Sequence, residues 1–195
     1  VLCMAKLYFR YGVMGSSKSA QALITKFNYE EQGMRVWLIK PAADTRYGAD
    51  KVHSRIGLEQ PADVIDDDMD LYEVFRDRER EFYDVIIVDE AQFLQPAHVE
   101  QLREIVDYYN VPVFFGLRTD FRTRLFPGSA RLFELADSVT ELKTVCTCGG
   151  KAMVNARIDA EGRVVTEGEQ FLLGGNESYR PMCYKCWKLK SKSEK

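Results

Sequence analysis

Three short stretches, 35–41 (RVWLIKP), 83–90 (YDVIIVDE) and 111–117 (VPVFFGL), carry unbroken apolar cores. A strand with one wet face alternates apolar and polar residues. An unbroken run, too short for a buried helix, means that both faces are covered, and the sheets covered on both faces are the parallel ones. Helical periodicities lie between the runs. SAQALITKFNYEEQG (19–33) places Ala22, Leu23, Ile24 and Phe27 on apolar faces and closes on Gly33. MDLYEVFRDRERE (69–81) turns Leu71, Val74 and Phe75 inward, and PAHVEQLREIVDYY (96–109) opens on a proline suited to a first helical turn. With a first strand over AKLYFRYG (5–12), a short helix at 129–136 and a strand at 137–145, the alternation predicts an α/β fold: a mainly parallel sheet flanked by helices. Residues 42–60, polar and broken by glycines, read as a long loop, the kind of segment in which function tends to sit.

The rhythm changes after Cys146. Residues 151–165 (KAMVNARIDAEGRVV) alternate like a hairpin with DAEG as the turn. The expected division is a nucleotide-binding domain over 4–145, a small domain over 146–190 and a flexible tail at 191–195. The basic KLKSKSEK at 188–195 reads as a frayed polar terminus. Of the 195 residues 46% are hydrophobic, enough for a real core, and the formal charge is −3 from 27 basic and 30 acidic side chains. That balance is not the footprint of a nucleic-acid binder. No run approaches the roughly 18 apolar residues of a membrane helix, and no secretory pattern is present, so a cytoplasmic location is expected.

The segment YGVMGSSKSAQAL (11–23) follows the first strand and enters the first helix. Gly12, Lys18 and Ser19 fit the phosphate-loop pattern G-x-x-x-x-G-K-[ST]; Ser17 stands where the second glycine would be. Such a loop aims backbone N–H groups and a helix N-terminus at an anion, reaches the outer phosphates with a lysine and offers a hydroxyl to Mg²⁺. Ser17 keeps its N–H but risks backbone strain that glycine avoids. Alone, the imperfect pattern also fits a polar turn with a helix cap. The apolar strand VIIVDE (85–90) weighs for the nucleotide reading, because its terminal acids sit where phosphate-loop proteins hold Mg²⁺.

Four of the five cysteines form two close pairs, Cys146 with Cys148 and Cys183 with Cys186. Four thiolates make a closed tetrahedral site, so a structural Zn²⁺ is expected. Disulfides are the alternative, disfavoured without a secretory context.

Taken together, YGVMGSSKS, DTRYG (44–48), VDEAQFL (88–94), GLRTDFRTRLFPG (116–128), the four cysteines and EGEQFLLGGNESYRPMC (167–183) resemble the type II thymidine kinase family, over nearly the whole chain. The resemblance implies a phosphate-loop domain with a zinc-pinned lasso over the nucleoside base, and transfer of the γ-phosphate of ATP to the 5′-hydroxyl of thymidine. It makes Gly12, Val13, Met14, Gly15, Ser16, Ser17, Lys18 and Ser19 the triphosphate cradle, with Asp89 and Gln92 also on the ATP side. Ser19 and Asp89 would hold Mg²⁺, and Glu90 would accept the 5′-hydroxyl proton. Arg46 would lie at the reacting end of the nucleoside. Met14, Phe93, Leu117, Phe121 and Phe126 would surround the base, closed by Leu172, Leu173, Gly174, Gly175 and Tyr179 of the lasso. A cytoplasmic homotetramer is implied. Ser17, and Arg118 with Thr119 where other members carry an acid and a glycine, depart from the pattern.

Two other classes compete. A phosphate-loop ATPase or GTPase switch would release free phosphate, but the sequence offers no obvious arginine finger and leaves the lasso without a purpose. A zinc-ribbon nucleic-acid binder conflicts with the acidic balance.

Overall fold

The computed structural model describes residues 5–44, 48, 50–77, 83–109, 111, 113–114, 116–170 and 178–191. The expected α/β architecture is present. Strands β1 (Tyr8–Tyr11), β2 (Val36–Pro41), β5 (Asp63–Ile65), β6 (Val85–Val88), β7 (Val113–Phe114) and β8 (Ser138–Glu141) all pair in parallel, in the orders β5-β2-β6-β7 and β1-β8. β1 lies beside β7, so the second pair continues the first.

Period-two alternation explains the apolar runs. Trp37, Ile39, Ile86 and Val88 point to one face, where they pack with helices α2 (Leu71–Asp77), α3 (Pro96–Tyr109) and α4 (Pro127–Leu135) through Leu71, Phe75, Leu102, Ile105 and Leu132. Val36, Leu38, Val85 and Ile87 point to the other face and meet Leu23 of α1 (Lys18–Glu31) with Val52 and Ala62. Residues 36–39 and 85–88 are apolar throughout because each face has its own core.

The described residues of the segment read as a loop at 42–60 include strands. β3 (Lys51–His53) and β4 (Glu59–Pro61) form an antiparallel hairpin, and β5, not anticipated from the sequence, adds an edge to the sheet. These strands are three residues each, too short for periodicity to declare. A buried lysine organises the connection. Lys40, 1% exposed, lies on β2 and pairs with Asp44 at 3.1 Å; its Nζ also donates to Gly48 O at 3.1 Å and Lys51 O at 3.2 Å. The burial of an ammonium group is compensated by one charge and two carbonyls, and the chain after β2 is fastened to the hairpin.

Beyond Cys146 lies a second, antiparallel sheet of order β10-β9-β11: β9 (Val154–Ile158), β10 (Val164–Val165) and β11 (Tyr179–Met182). The expected hairpin turns at Asp159, whose side chain accepts from the N–H groups of Glu161 and Arg163. Its core joins Cys146, Ala152, Ala156, Val164 and Met182, and it includes Val13 from the segment that follows β1. Helix α5 (Tyr184–Ser191) follows, so Lys188 to Ser191, read as part of a frayed terminus, continue a helix; Tyr184 stacks on Trp187 and lies under Lys188 at helical spacing. Residues 192–195, like Cys3, lie outside the described residues.

Asp44→Asn leaves the Lys40 ammonium buried without its carboxylate. A loss of about 3 kcal/mol is expected, the scale for breaking a buried ion pair from one side. Urea unfolding measures it, and an unshifted midpoint would mean that the pair does not hold this connection.

Candidate active site

A parallel sheet buried on both faces offers polar chemistry at the carboxyl ends of its strands. β1 and β6 both end at one cavity of about 290 Å³. Gly15, Ser17, Lys18 and Ser19 line it from the phosphate loop, Asp89 and Glu90 from the end of β6, and Met14 and Leu117 supply apolar wall. Lys51, His53, Ser54, Arg55 and Ile56 of the β3–β4 hairpin face them from the far side. The long polar segment was the only sequence signal for these hairpin residues; no motif marks them.

The loop is tightly wound. A Cβ on Gly12 would collide with Ser16 Oγ and lie 2.5 Å from Leu142 O, so only glycine fits. Ser17 sits at φ 61°, ψ 28°, in the left-handed region, immediately before α1, with no side-chain cap bond. A glycine would adopt this conformation freely; a side chain there costs about 1–2 kcal/mol. Lys18 Nζ donates to Val13 O at 2.9 Å, which bends the ammonium over the loop. Ser16 Oγ is buried and finds no hydrogen-bond partner among the described residues, consistent with a loop shaped to wrap an anion.

The two acids at the end of β6 have different surroundings. The Asp89 carboxyl takes a hydrogen bond from the Ser19 side chain, so the loop hydroxyl and the strand acid meet. Burial, then the neighbouring Glu90 charge, lift Asp89 to about 6, against the opposing pull of Ser19 and Lys18. Glu90 turns out of the strand at φ 54°, also left-handed, into a 3₁₀ turn over Ala91–Phe93. Its Oε2 accepts from Gln92 Nε2, and Gln92 Oε1 accepts from the Leu117 N–H at 3.0 Å. Gln92, expected on the ATP side, is thus 1% exposed with its amide turned to Glu90 and Leu117. Sequence reading had no signal for this clamp. Two strained residues, Ser17 and Glu90, flank one cavity, as strain at functional sites does.

The aromatic positions divide. Phe93 and Phe126 pack edge to face at 5.6 Å. Phe121, 1% exposed, lies under the Arg157 guanidinium at 3.6 Å, and Arg157 Nε and Nη2 donate to the Tyr179 hydroxyl at 3.0 and 2.6 Å. Asp120 accepts from Arg122 and from Gln170 Nε2 at 3.2 Å, tying the 117–124 loop to the small domain. Arg46, Leu172, Leu173, Gly174 and Gly175 lie outside the described residues.

The four cysteines come together. Cys146, Cys148, Cys183 and Cys186 place their sulfurs within 4.8 Å of one another, Cys148 and Cys183 at 3.6 Å, and all four are free thiols. Sulfurs about 2.3 Å from a shared tetrahedral Zn²⁺ would be about 3.8 Å apart. The donor set suits the metal. Backbone N–H groups of Cys148 and Cys183 draw the Cys146 thiol down to about 6, while its thiol neighbours push Cys186 up to about 12. Four sulfurs this close cannot all be thiolates without a cation among them.

Known proteins resemble the chain over nearly its whole length. The thymidine kinase family model matches residues 5–187. The thymidine kinase of Enterobacteria phage T4 is 48% identical over 187 residues, covering 94% of this chain and 96% of that one. That of Legionella pneumophila is 48% identical over 183 residues, covering 92% and 88%. That of Ruegeria pomeroyi is 46% identical over 187 residues, covering 95% and 94%. A solved structure, the Legionella pneumophila ATPase DotB, aligns at a TM-score of 0.40 with 15% identity over 76% of this chain and 44% of that chain, too loosely to bear on function. On the family match and these near-full-length relatives, the chain belongs to the thymidine kinase family.

Proposed function

We propose that this chain transfers the γ-phosphate of ATP to the 5′-hydroxyl of thymidine, giving dTMP for nucleotide salvage. The observation that carries the reading is the meeting of Lys18, Ser19, Asp89 and Glu90 on one cavity. Gly12 to Ser19 wrap the triphosphate with backbone N–H groups, and Lys18 swings from the Val13 carbonyl to the β- and γ-oxygens. Ser19 and Asp89, whose side chains meet, would hold Mg²⁺, which would supply positive charge to the phosphates. Glu90, oriented by Gln92, takes the proton as the 5′-oxygen bonds to the γ-phosphorus and ADP leaves. Arg46 attends the reacting end. Met14 and Leu117 from the cavity wall belong to the base pocket, to which the family resemblance also assigns Phe93, Phe121, Phe126, Tyr179 and Leu172 to Gly175. The unit at 146–190 acts as a lasso, pinned by Zn²⁺ on the four cysteines. By its family the enzyme works in the cytoplasm as a homotetramer; the exposed Ile24 and Phe27 on α1 are apolar surface that assembly would cover.

Incubating the chain with Mg²⁺, labelled ATP and each common deoxynucleoside tests the assignment. Label should pass to thymidine; release of free phosphate alone would point to an ATPase instead. Glu90→Gln should lower kcat by about 10²-fold or more with ATP binding retained, and near-normal turnover would remove Glu90 from the chemistry.

Ser17→Gly should relieve the left-handed strain and raise stability by about 1 kcal/mol. Thermal unfolding reads it, and a lowered Tm would show that the serine side chain has a task of its own.

The Mg²⁺-free protein should lose stability as pH rises. The folded Asp89 carboxyl holds its proton up to about 6, above the ordinary value of 3.8, so the folded state binds more protons than the unfolded between those values. Stability from this group is full below about 4 and lost through about 6. Asp89→Asn should flatten that slope in unfolding curves from pH 4 to 7; an unchanged slope would place its cause elsewhere.

Cys183→Ser should abolish stoichiometric zinc and raise the KM for thymidine. Active wild-type enzyme without bound zinc would defeat this prediction.

A further inference from the structure

Strand β9 has two faces with two tasks. Ala156 and Ile158 belong to the small core with Cys146, Val164 and Met182. Asn155 and Arg157, offset by one residue, point the other way and are 4% and 5% exposed. Arg157 reaches the nucleoside side, through Phe121 and Tyr179. Asn155 reaches the phosphate loop. Its Oδ1 accepts from the Met14 N–H at 2.7 Å, and its Nδ2 donates to Thr119 O at 3.0 Å. The partners fix the orientation of the amide, because an N–H only donates and a carbonyl only accepts. Beside this bond the Val13 side chain is 7% exposed within the small core, and Pro181 lies 3.9 Å from where a Gly15 Cβ would be.

We infer that Asn155 is a positioning residue for ATP: the small domain, through Asn155 and the Val13 anchor, sets the shape of the phosphate loop's first half. The inference rests on the proposed kinase reading. The second half of the loop, Lys18 and Ser19, is fixed by α1 and by Asp89. The first half has the small domain instead, and the same amide holds the 117–120 segment that walls the nucleoside. Without Asn155 the Met14 N–H loses its buried acceptor and the loop is free to open, so ATP affinity falls before catalysis does. Cys146, one of the four cysteines that would hold Zn²⁺, lies in the core that receives Val13, so removing the metal would weaken ATP binding as well as thymidine binding. Arg157, on the same face of β9 but directed to Tyr179, governs thymidine instead.

The test is calorimetric binding of ATP with Mg²⁺, alongside KM for each substrate, in the full-length zinc-loaded protein. Asn155→Leu should raise the Kd for ATP about ten-fold, the scale of one buried hydrogen bond and its orphaned partner, with a smaller rise in the KM for thymidine. Arg157→Met should give the reverse pattern. Zinc content and Tm establish that each variant is folded; if Asn155→Leu is not, Val13→Ala takes its place with the same expected loss of ATP affinity. Chelation of zinc followed by ATP titration should show the same weakening. Unchanged ATP affinity in Asn155→Leu or its replacement overturns the inference. So does an equal loss for both substrates in both variants, which would be general loosening. Wild-type protein that fails to phosphorylate thymidine defeats the kinase reading alone, since ATP affinity is still measured by calorimetry and still compares the variants.

Discussion

A sheet buried on both faces has almost no room for polar groups except where its strands end, and the site depends on that constraint. β6 is apolar through Val88 and carries Asp89 and Glu90 at the first positions beyond the two cores. β1 ends in the same way at Tyr11, and the loop begins at Gly12. Parallel pairing brings these ends to the same edge, so a hydroxyl on one connection can meet a carboxylate on another, as Ser19 and Asp89 do. Lys40 is a charged group buried within β2, and it is matched by Asp44 and two carbonyls.

The site stores strain where the chain must turn sharply. Ser17 and Glu90 both hold left-handed conformations, and each stands at the point where a strand connection bends into helical geometry. Glu90 is steadied by the Gln92 amide, which is steadied by Leu117, whose carbonyl accepts from Ser129 Oγ at 2.7 Å. Burial, then the neighbouring Glu90 charge, raises the Asp89 carboxyl to about 6. A divalent cation placed between the acids would relieve that crowding.

Two domains that sequence rhythm separates are joined through side chains. Val13 crosses into the small core, Asn155 crosses back to the loop, and Gln170 reaches Asp120. The division after Cys146 is therefore a change of architecture more than a break in contact.

Much of this was legible along the chain. Apolar runs at 36–39 and 85–88 announced strands buried on both sides because burial on two faces removes the need to alternate. Lys18 and Ser19 were recognisable by their spacing from Gly12, and the cysteines by their pairing, since local spacing alone sets which backbone turn they share. Tertiary structure decided the rest. β5 and the β3–β4 hairpin are too short to show a period, and they form because the sheet edge and Lys40 receive them. Gln92 lies two residues from Glu90, yet its task depends on Leu117, twenty-five positions away. Asn155 has no motif at all: it sits on an ordinary alternating strand, and its partners, Met14 and Thr119, are 141 and 36 positions distant. A sequence records which groups are adjacent on the chain. Which buried donor meets which acceptor is settled only when distant segments are brought within hydrogen-bond range.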